Sequence, residues 1–174
     1  MAPQIAPMGE PSRLSEIYDD AVVEIYRYLR SRCGSTSLAE DLTSATFVQA
    51  ALEIERAPVP DLSVRWLITV ARNKLIDHWR REAMVERKLT LLDGGRAETV
   101  DPWNDVLDEA RAHAVLQSLT PDHRAALTLR YLDDLSVPEC AAALGRSVHA
   151  AESLLARARN AFRTAYEQTG GHDD

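Results

Sequence analysis

Five side chains near the C-terminus, His149, Ser153, Ala156, Arg157 and Asn160, share one side of a helix if the apolar Val148, Ala151, Leu155, Ala158 and Phe162 turn inward. Small, hydrogen-bonding and basic groups on one helical face have the chemistry to enter a DNA major groove. Arginine donates to guanine or to phosphate there, and small residues permit close approach. Glu152 flanks this face. It either accepts from a cytosine amino group or pairs with Arg159 or another nearby arginine. The spacing alone also fits an ordinary helical hairpin.

The elements that must hold this face are spelled out in the stretch LSVPECAAALGRSVHAAESLLARARNAFR, from Leu135 to Arg163. Ser136 caps a first helix and Glu139, three residues on, closes a capping box. Pro138 falls in the first turn, where its missing N–H costs nothing. Cys140, Ala141 and Leu144 line one side of that helix. Gly145 supplies the left-handed conformation that ends it, and Ser147 caps the next. Two short helices joined by a glycine-centred turn make a helix-turn-helix.

A second concentration of chemistry lies upstream. Between Pro58 and Thr90 seven basic side chains, including Arg65, Arg72, Lys74, Arg80 and Arg81, face four acidic ones, although the whole chain carries a net charge of -7. Contact with a polyanion must therefore be concentrated on particular faces. The surplus acid implies solubility or a basic protein partner.

Catalytic chemistry is not indicated. The five histidines form no HExxH or other ligand spacing, and Asp77 and His78, adjacent on a helix, point in different directions. Cys33 and Cys140 are isolated, with no CxxC or Cys/His spacing, so each reads as a small packing residue. No cofactor, no metal and no small-molecule substrate is expected.

Three- and four-residue apolar spacing runs through nearly all of the 174 residues, and strand-like alternation is absent, so the expected fold is all-α. A first helix is expected from Ser15 to Arg32, with Ile17, Ala21, Ile25, Tyr28 and Leu29 inward and Gly34 ending it. Ser37 and Glu40 would form a capping box for a second helix, with Leu42, Ala45, Phe47, Ala50 and Leu52 in its core. After the proline-broken segment RAPVPDLS, Ser63 caps a third helix that carries the basic cluster. Residues 84–109, acidic and containing Gly94-Gly95 and Asp101-Pro102, read as a flexible linker. Thr120-Pro121 opens a fresh helix, from which Ala126, Leu127, Tyr131 and Leu132 pack against the helix-turn-helix. The expected organisation is two small helical domains, 13–83 and 110–168, with a disordered tail at 1–12 and a short tail at 169–174. No apolar run is long enough to cross a membrane, and the start MAPQIAPMGEPSR lacks a signal-peptide pattern, so a cytoplasmic protein without membrane insertion is expected.

Four segments in order, IYRYLRSRCG, AEDLTSATFVQA, RWLITVARNKLIDHWRRE and LTPDHRAALTLRYLDDLSVPECAAALGRSVHAAESLLARAR, resemble the extracytoplasmic-function (ECF) group of bacterial sigma-70-type sigma factors over about Leu14 to Tyr166. That resemblance implies a sigma2-like and a sigma4-like domain. The implied partners are the clamp and flap of core RNA polymerase, promoter DNA as duplex and as melted strand, and an anti-sigma factor. It assigns Glu40, Asp41 and Leu42 to polymerase docking. Arg65, Asn73, Lys74, Asp77, Arg80 and Arg81 fall to the minus-ten strand, where Asn73 and Asp77 share a face suited to a base edge. His149, Glu152, Ser153, Ala156, Arg157 and Arg159 fall to the minus-thirty-five element. The family's flipped-base pocket includes the loop Arg56 to Leu62, and Trp66 and Trp79 offer either base stacking or core packing. Four departures stand out: Ser44-Ala45 replaces the family's common Gln-Glu, Glu152 and Leu154 stand where basic residues are commoner, and Ala156 also differs from the family's DNA-facing pattern. A conventional helix-turn-helix regulator, binding duplex DNA without polymerase, is the competing reading. It needs neither the basic third helix nor the acidic second one.

Overall fold

The computed structural model describes residues 13–56, 62–89 and 109–170. Every element among them is helical: α1 (Arg13–Arg30), α2 (Thr36–Arg56), α3 (Val64–Leu89), α4 (Glu109–Ser118), α5 (Pro121–Leu127), a π-helical turn (Thr128–Leu132), α6 (Val137–Leu144) and α7 (Val148–Gly170). Contacts divide the chain within α3, between Lys74 and Leu75, into two compact units. The expected domain end at residue 83 thus falls inside a continuous helix. The central part of the expected linker and the tail at 1–12 lie outside the described residues.

In the first unit α1 packs on α2. Ala21, Ile25 and Leu29 recur at intervals of four on α1 and are fully buried, and Ala39, Leu42, Phe47 and Ala50 answer from α2. Each buried Ile or Leu contributes about 1.5–3 kcal/mol. Thr43 and Thr46 are buried among them, which their polarity hid from the sequence. Their hydroxyls donate to the carbonyls of Ala39 and Leu42, each at 2.7 Å, so burial leaves no unpaired group. Leu52, expected in this core, is 40% exposed because the inward stripe runs through 39, 43, 46 and 50.

The helix ends also differ from expectation. α1 stops at Arg30, and the amides of Arg32 and Cys33 both donate to the Leu29 carbonyl. No left-handed glycine is needed there; among the described residues Gly145 is the sole glycine with positive φ. α2 begins at Thr36, capped by Ser35, whose hydroxyl accepts from the Leu38 amide at 3.4 Å. Ser37 therefore lies inside the first turn and forms no capping box with Glu40.

The second unit gathers α4, α5, α6 and α7 around one core, in which Val115, Leu116, Leu119, Leu127, Leu155 and Phe162 are buried. Arg111 spans α4 and α7: its guanidinium lies 3.8 Å from the Tyr166 ring centroid and donates to the Tyr166 carbonyl. Thr120 occupies the N-cap of α5 and Pro121 its first turn, although the Thr120 side chain makes no capping bond. The π turn after α5 changes which side chains face inward. Leu129 is buried against Ile76 and Cys140, whereas Tyr131 and Leu132, expected against the helix-turn-helix, are exposed. A π turn inserts an extra residue into the helical repeat and so rotates the side chains beyond it.

Candidate nucleic-acid interface

The C-terminal face depends on the turn between α6 and α7. Ser136 accepts from the Glu139 amide while the Glu139 carboxylate accepts from the Ser136 amide at 2.8 Å, so the capping box is complete. Gly145 adopts φ 62°, ψ 38°, a left-handed conformation that glycine enters without the steric cost other residues meet. The Ser147 hydroxyl then accepts from the Ala150 amide at 3.2 Å and starts α7.

Several arginines of this unit are committed to the fold. Arg124 donates to the carbonyls of Gln117 and Leu119 at the end of α4, Arg130 donates to the Leu135 carbonyl, and Arg146 pairs with Asp122 at 2.9 Å. Arg157 by contrast is exposed, with Ser153 and His149 on successive turns of the same side. Ala156 and Arg159 are half-buried.

Three assignments on α7 change. Asn160 is 7% exposed and Leu154 is buried, because α4, α5 and α6 all pack on this helix and bury more than one stripe. Asn160 therefore belongs to the interior. Leu154 likewise, so the lack of a basic residue there removes no surface charge. Val148, expected in the core, is 44% exposed. The Nδ1 of His149 lies 4.0 Å from the Glu152 carboxylate.

On α3 the Ser63 hydroxyl accepts from the Trp66 amide at 3.3 Å, the expected cap. Arg65, Asn73, Asp77, Arg80 and Arg81 are exposed, and Lys74 is half-buried with its Nζ donating to Gln49 Oε1 at 2.9 Å. Arg80 reaches two acceptors. Its Nη1 lies 3.2 Å from Asp77 Oδ1 and its Nη2 donates to the Ala143 carbonyl at 2.6 Å, both within the second unit. That second contact, between residues far apart in sequence, carried no local signal. Trp79 is 2% exposed and cannot stack on a base, whereas Trp66 is half-buried. Most of the loop between Arg56 and Leu62 lies outside the described residues.

On α2, Glu40 and Asp41 are exposed and Leu42 is buried, so Leu42 supports this surface from beneath. Glu40 and Ser44 line a groove with Tyr18 and Val22 of α1. Of the Ser44-Ala45 pair, Ser44 faces out and Ala45 is half-buried. Among the described residues no cluster of His, Cys, Asp and Glu could hold a metal ion, and no helix is long and apolar enough to cross a membrane.

Two family models match the chain, Sigma-70 region 2 over residues 17–84 and Sigma-70, region 4 over residues 109–162. The chain is 33% identical over 159 residues to the ECF RNA polymerase sigma factor BldN of Streptomyces coelicolor, covering 88% of this chain and 60% of that one. It is 30% identical over 169 residues to SigL of Mycobacterium tuberculosis, covering 95% of each. With SigM of Bacillus subtilis it shares 29% identity over 160 residues, covering 89% of this chain and 96% of that one. Among solved structures, the sigma factor RpoE of Bartonella quintana, crystallised with the anti-sigma factor NepR, matches in fold. The TM-score is 0.54 at 20% identity, covering 87% of this chain and 94% of that one. Both halves of the molecule, with relatives matched along nearly their whole length, place this chain in the ECF group of the sigma-70 family of RNA polymerase sigma factors.

Proposed function

We propose that this chain binds core RNA polymerase in the cytoplasm and directs promoter-specific initiation, without catalysing a reaction itself. The exposed side of α7 carries this reading: His149, Ser153 and Arg157 stand in a row opposite a buried stripe, on a helix started by a capped, glycine-centred turn. Such a helix presents its first turns to the major groove. Arg157 donates to guanine or phosphate of the minus-thirty-five element, Ser153 and Ala156 permit approach, and His149, Glu152 and Arg159 border the contact. Arg65, Asn73, Lys74, Asp77, Arg80 and Arg81 hold the melted minus-ten strand, as a basic surface with paired polar groups suits unstacked bases. Glu40 and Asp41 meet basic residues of the polymerase clamp, where complementary charge sets orientation and rate of encounter. The sigma4-like unit engages the flap. An anti-sigma factor, as in the Bartonella quintana complex, is the proposed negative regulator.

Transcription of a genomic library by purified core polymerase, with and without this protein, tests the function and yields its promoters together. New start sites sharing two upstream elements are expected. Duplex binding by the protein alone, with no polymerase-dependent starts, would instead identify a conventional regulator.

A further inference from the structure

The exposed side of α7 consists of two parallel rows, each with one residue per turn. His149, Ser153 and Arg157 form one; Val148 and Glu152, followed by the half-buried Ala156, form the other. Val148 is the anomaly. It is a large apolar side chain, 44% exposed, at the first position of the helix. Stability alone favours an acidic residue at that end of a helix, and α7 has none in its first turn. A carboxylate there would face phosphates if the helix enters a groove, whereas valine adds no charge. Valine gains nothing from a phosphate oxygen, and the C5-methyl of thymine is the apolar group that a base pair displays in the major groove. β-Branching fixes the valine rotamer, and the Ser147 cap fixes the turn beneath it, so the methyl groups are held in place before any contact forms.

We infer that Val148 is a specificity-determining residue that contacts the C5-methyl of a thymine in the upstream promoter element. Glu152, one turn further along the same row, has the acceptor that matches a neighbouring cytosine amino group, so this row reads pyrimidines while the Arg157 row reads guanine or phosphate. The inference rests on the assignment of α7 to duplex DNA.

The test is a cycle between a side-chain and a base methyl group. Holoenzyme assembled with wild-type protein first selects its upstream element from a randomised library. Each thymine of that element is then replaced by deoxyuridine, which lacks only the methyl group, and binding is measured for wild type, Val148→Ala and Val148→Thr. For wild type, one position should lose about fourfold on methyl removal, the scale of one buried apolar carbon. At that position Val148→Ala should be insensitive to the replacement, and Val148→Thr, which keeps one methyl group, should fall between them. Equal losses in wild type and Val148→Ala, or no thymine preference in the selected element, overturn the inference. Arg157→Ala separates its failure from that of the underlying reading. If Arg157→Ala also leaves upstream affinity, its salt dependence and selection unchanged, the assignment of α7 to the duplex fails; if Arg157→Ala weakens upstream binding or alters selection and Val148→Ala loses as much on methyl removal as wild type, only the thymine contact fails.

Discussion

Arg80 and Ala143, distant in sequence, are joined by a 2.6 Å hydrogen bond from the guanidinium Nη2 on α3 to a carbonyl in the last turn of α6. The final carbonyls of a helix have no partner within it, so Arg80 satisfies one of these acceptors. A methyl group added at Gly145 would lie 3.3 Å from the same Nη2. Gly145→Ala should therefore destabilise the second unit twice over, through left-handed strain of about 1–2 kcal/mol and through pressure on Arg80. Arg80→Ala should cost about 1 kcal/mol or less, since the side chain is half-exposed. Urea titration of both variants measures the difference. Equal stability of Gly145→Ala and wild type would show that the turn does not require its left-handed conformation.

Asp41 is exposed and has no role in the core of its unit, so charge reversal is separable from folding. Asp41→Lys should weaken capture of core polymerase while the circular dichroism of the protein stays unchanged. Retention equal to wild type in a pull-down would remove Asp41 from the docking surface.

Asn73 and Asp77 stand four residues apart on the exposed side of α3. The double variant Asn73→Ala, Asp77→Ala should assemble holoenzyme normally yet give weaker permanganate reactivity in the minus-ten region. Asp77 also pairs with Arg80 at 3.2 Å, so Arg80→Ala serves as a companion that removes the cation and keeps the carboxylate. A normal bubble in the double variant would take both residues out of promoter opening.

Arg157 and Glu152 separate affinity from sequence preference. Loss of a phosphate contact by Arg157→Ala should reduce the slope of log affinity against log salt by about one; loss of a guanine contact should instead cost about 1–3 kcal/mol at one position. Glu152→Lys should shift the preferred upstream sequence. Uniformly tighter binding with an unchanged motif would mean that Glu152 only repels phosphates.

Burial pushes the Cys140 thiol above its ordinary value, with partial opposition from Arg130, and its Sγ lies 3.7 Å from the Leu135 carbonyl oxygen. A raised folded pKa favours the folded state while the thiol is protonated. That contribution is complete below the pKa of the unfolded thiol and is lost as pH rises through the folded value. Iodoacetamide should therefore leave Cys140 unmodified in the native protein near neutral pH and label it after unfolding. Peptide mapping that finds Cys140 alkylated at the rate of a free thiol would contradict its burial between Ile76 and Leu129.

The local features of this protein were legible in its residues alone. Ser136, Glu139, Gly145 and Ser147 act on backbone groups within a few residues, so their roles are readable without neighbours, and all four do what their spacing predicted. The same holds for Ser63, for the helical periodicity and for the family resemblance. Packing in three dimensions settled whatever depends on how many helices press on a given side. Asn160 and Leu154 went inside because three helices pack on α7, and Thr46 could be buried because its hydroxyl found a carbonyl one turn back. Tyr131 and Leu132 turned outward because a π turn broke the repeat on which their assignment rested. The bond from Arg80 to Ala143 and the exposure of Val148 were hidden for one physical reason: a side chain's surroundings are set by the packing of distant segments, and its own neighbours in sequence carry no record of them.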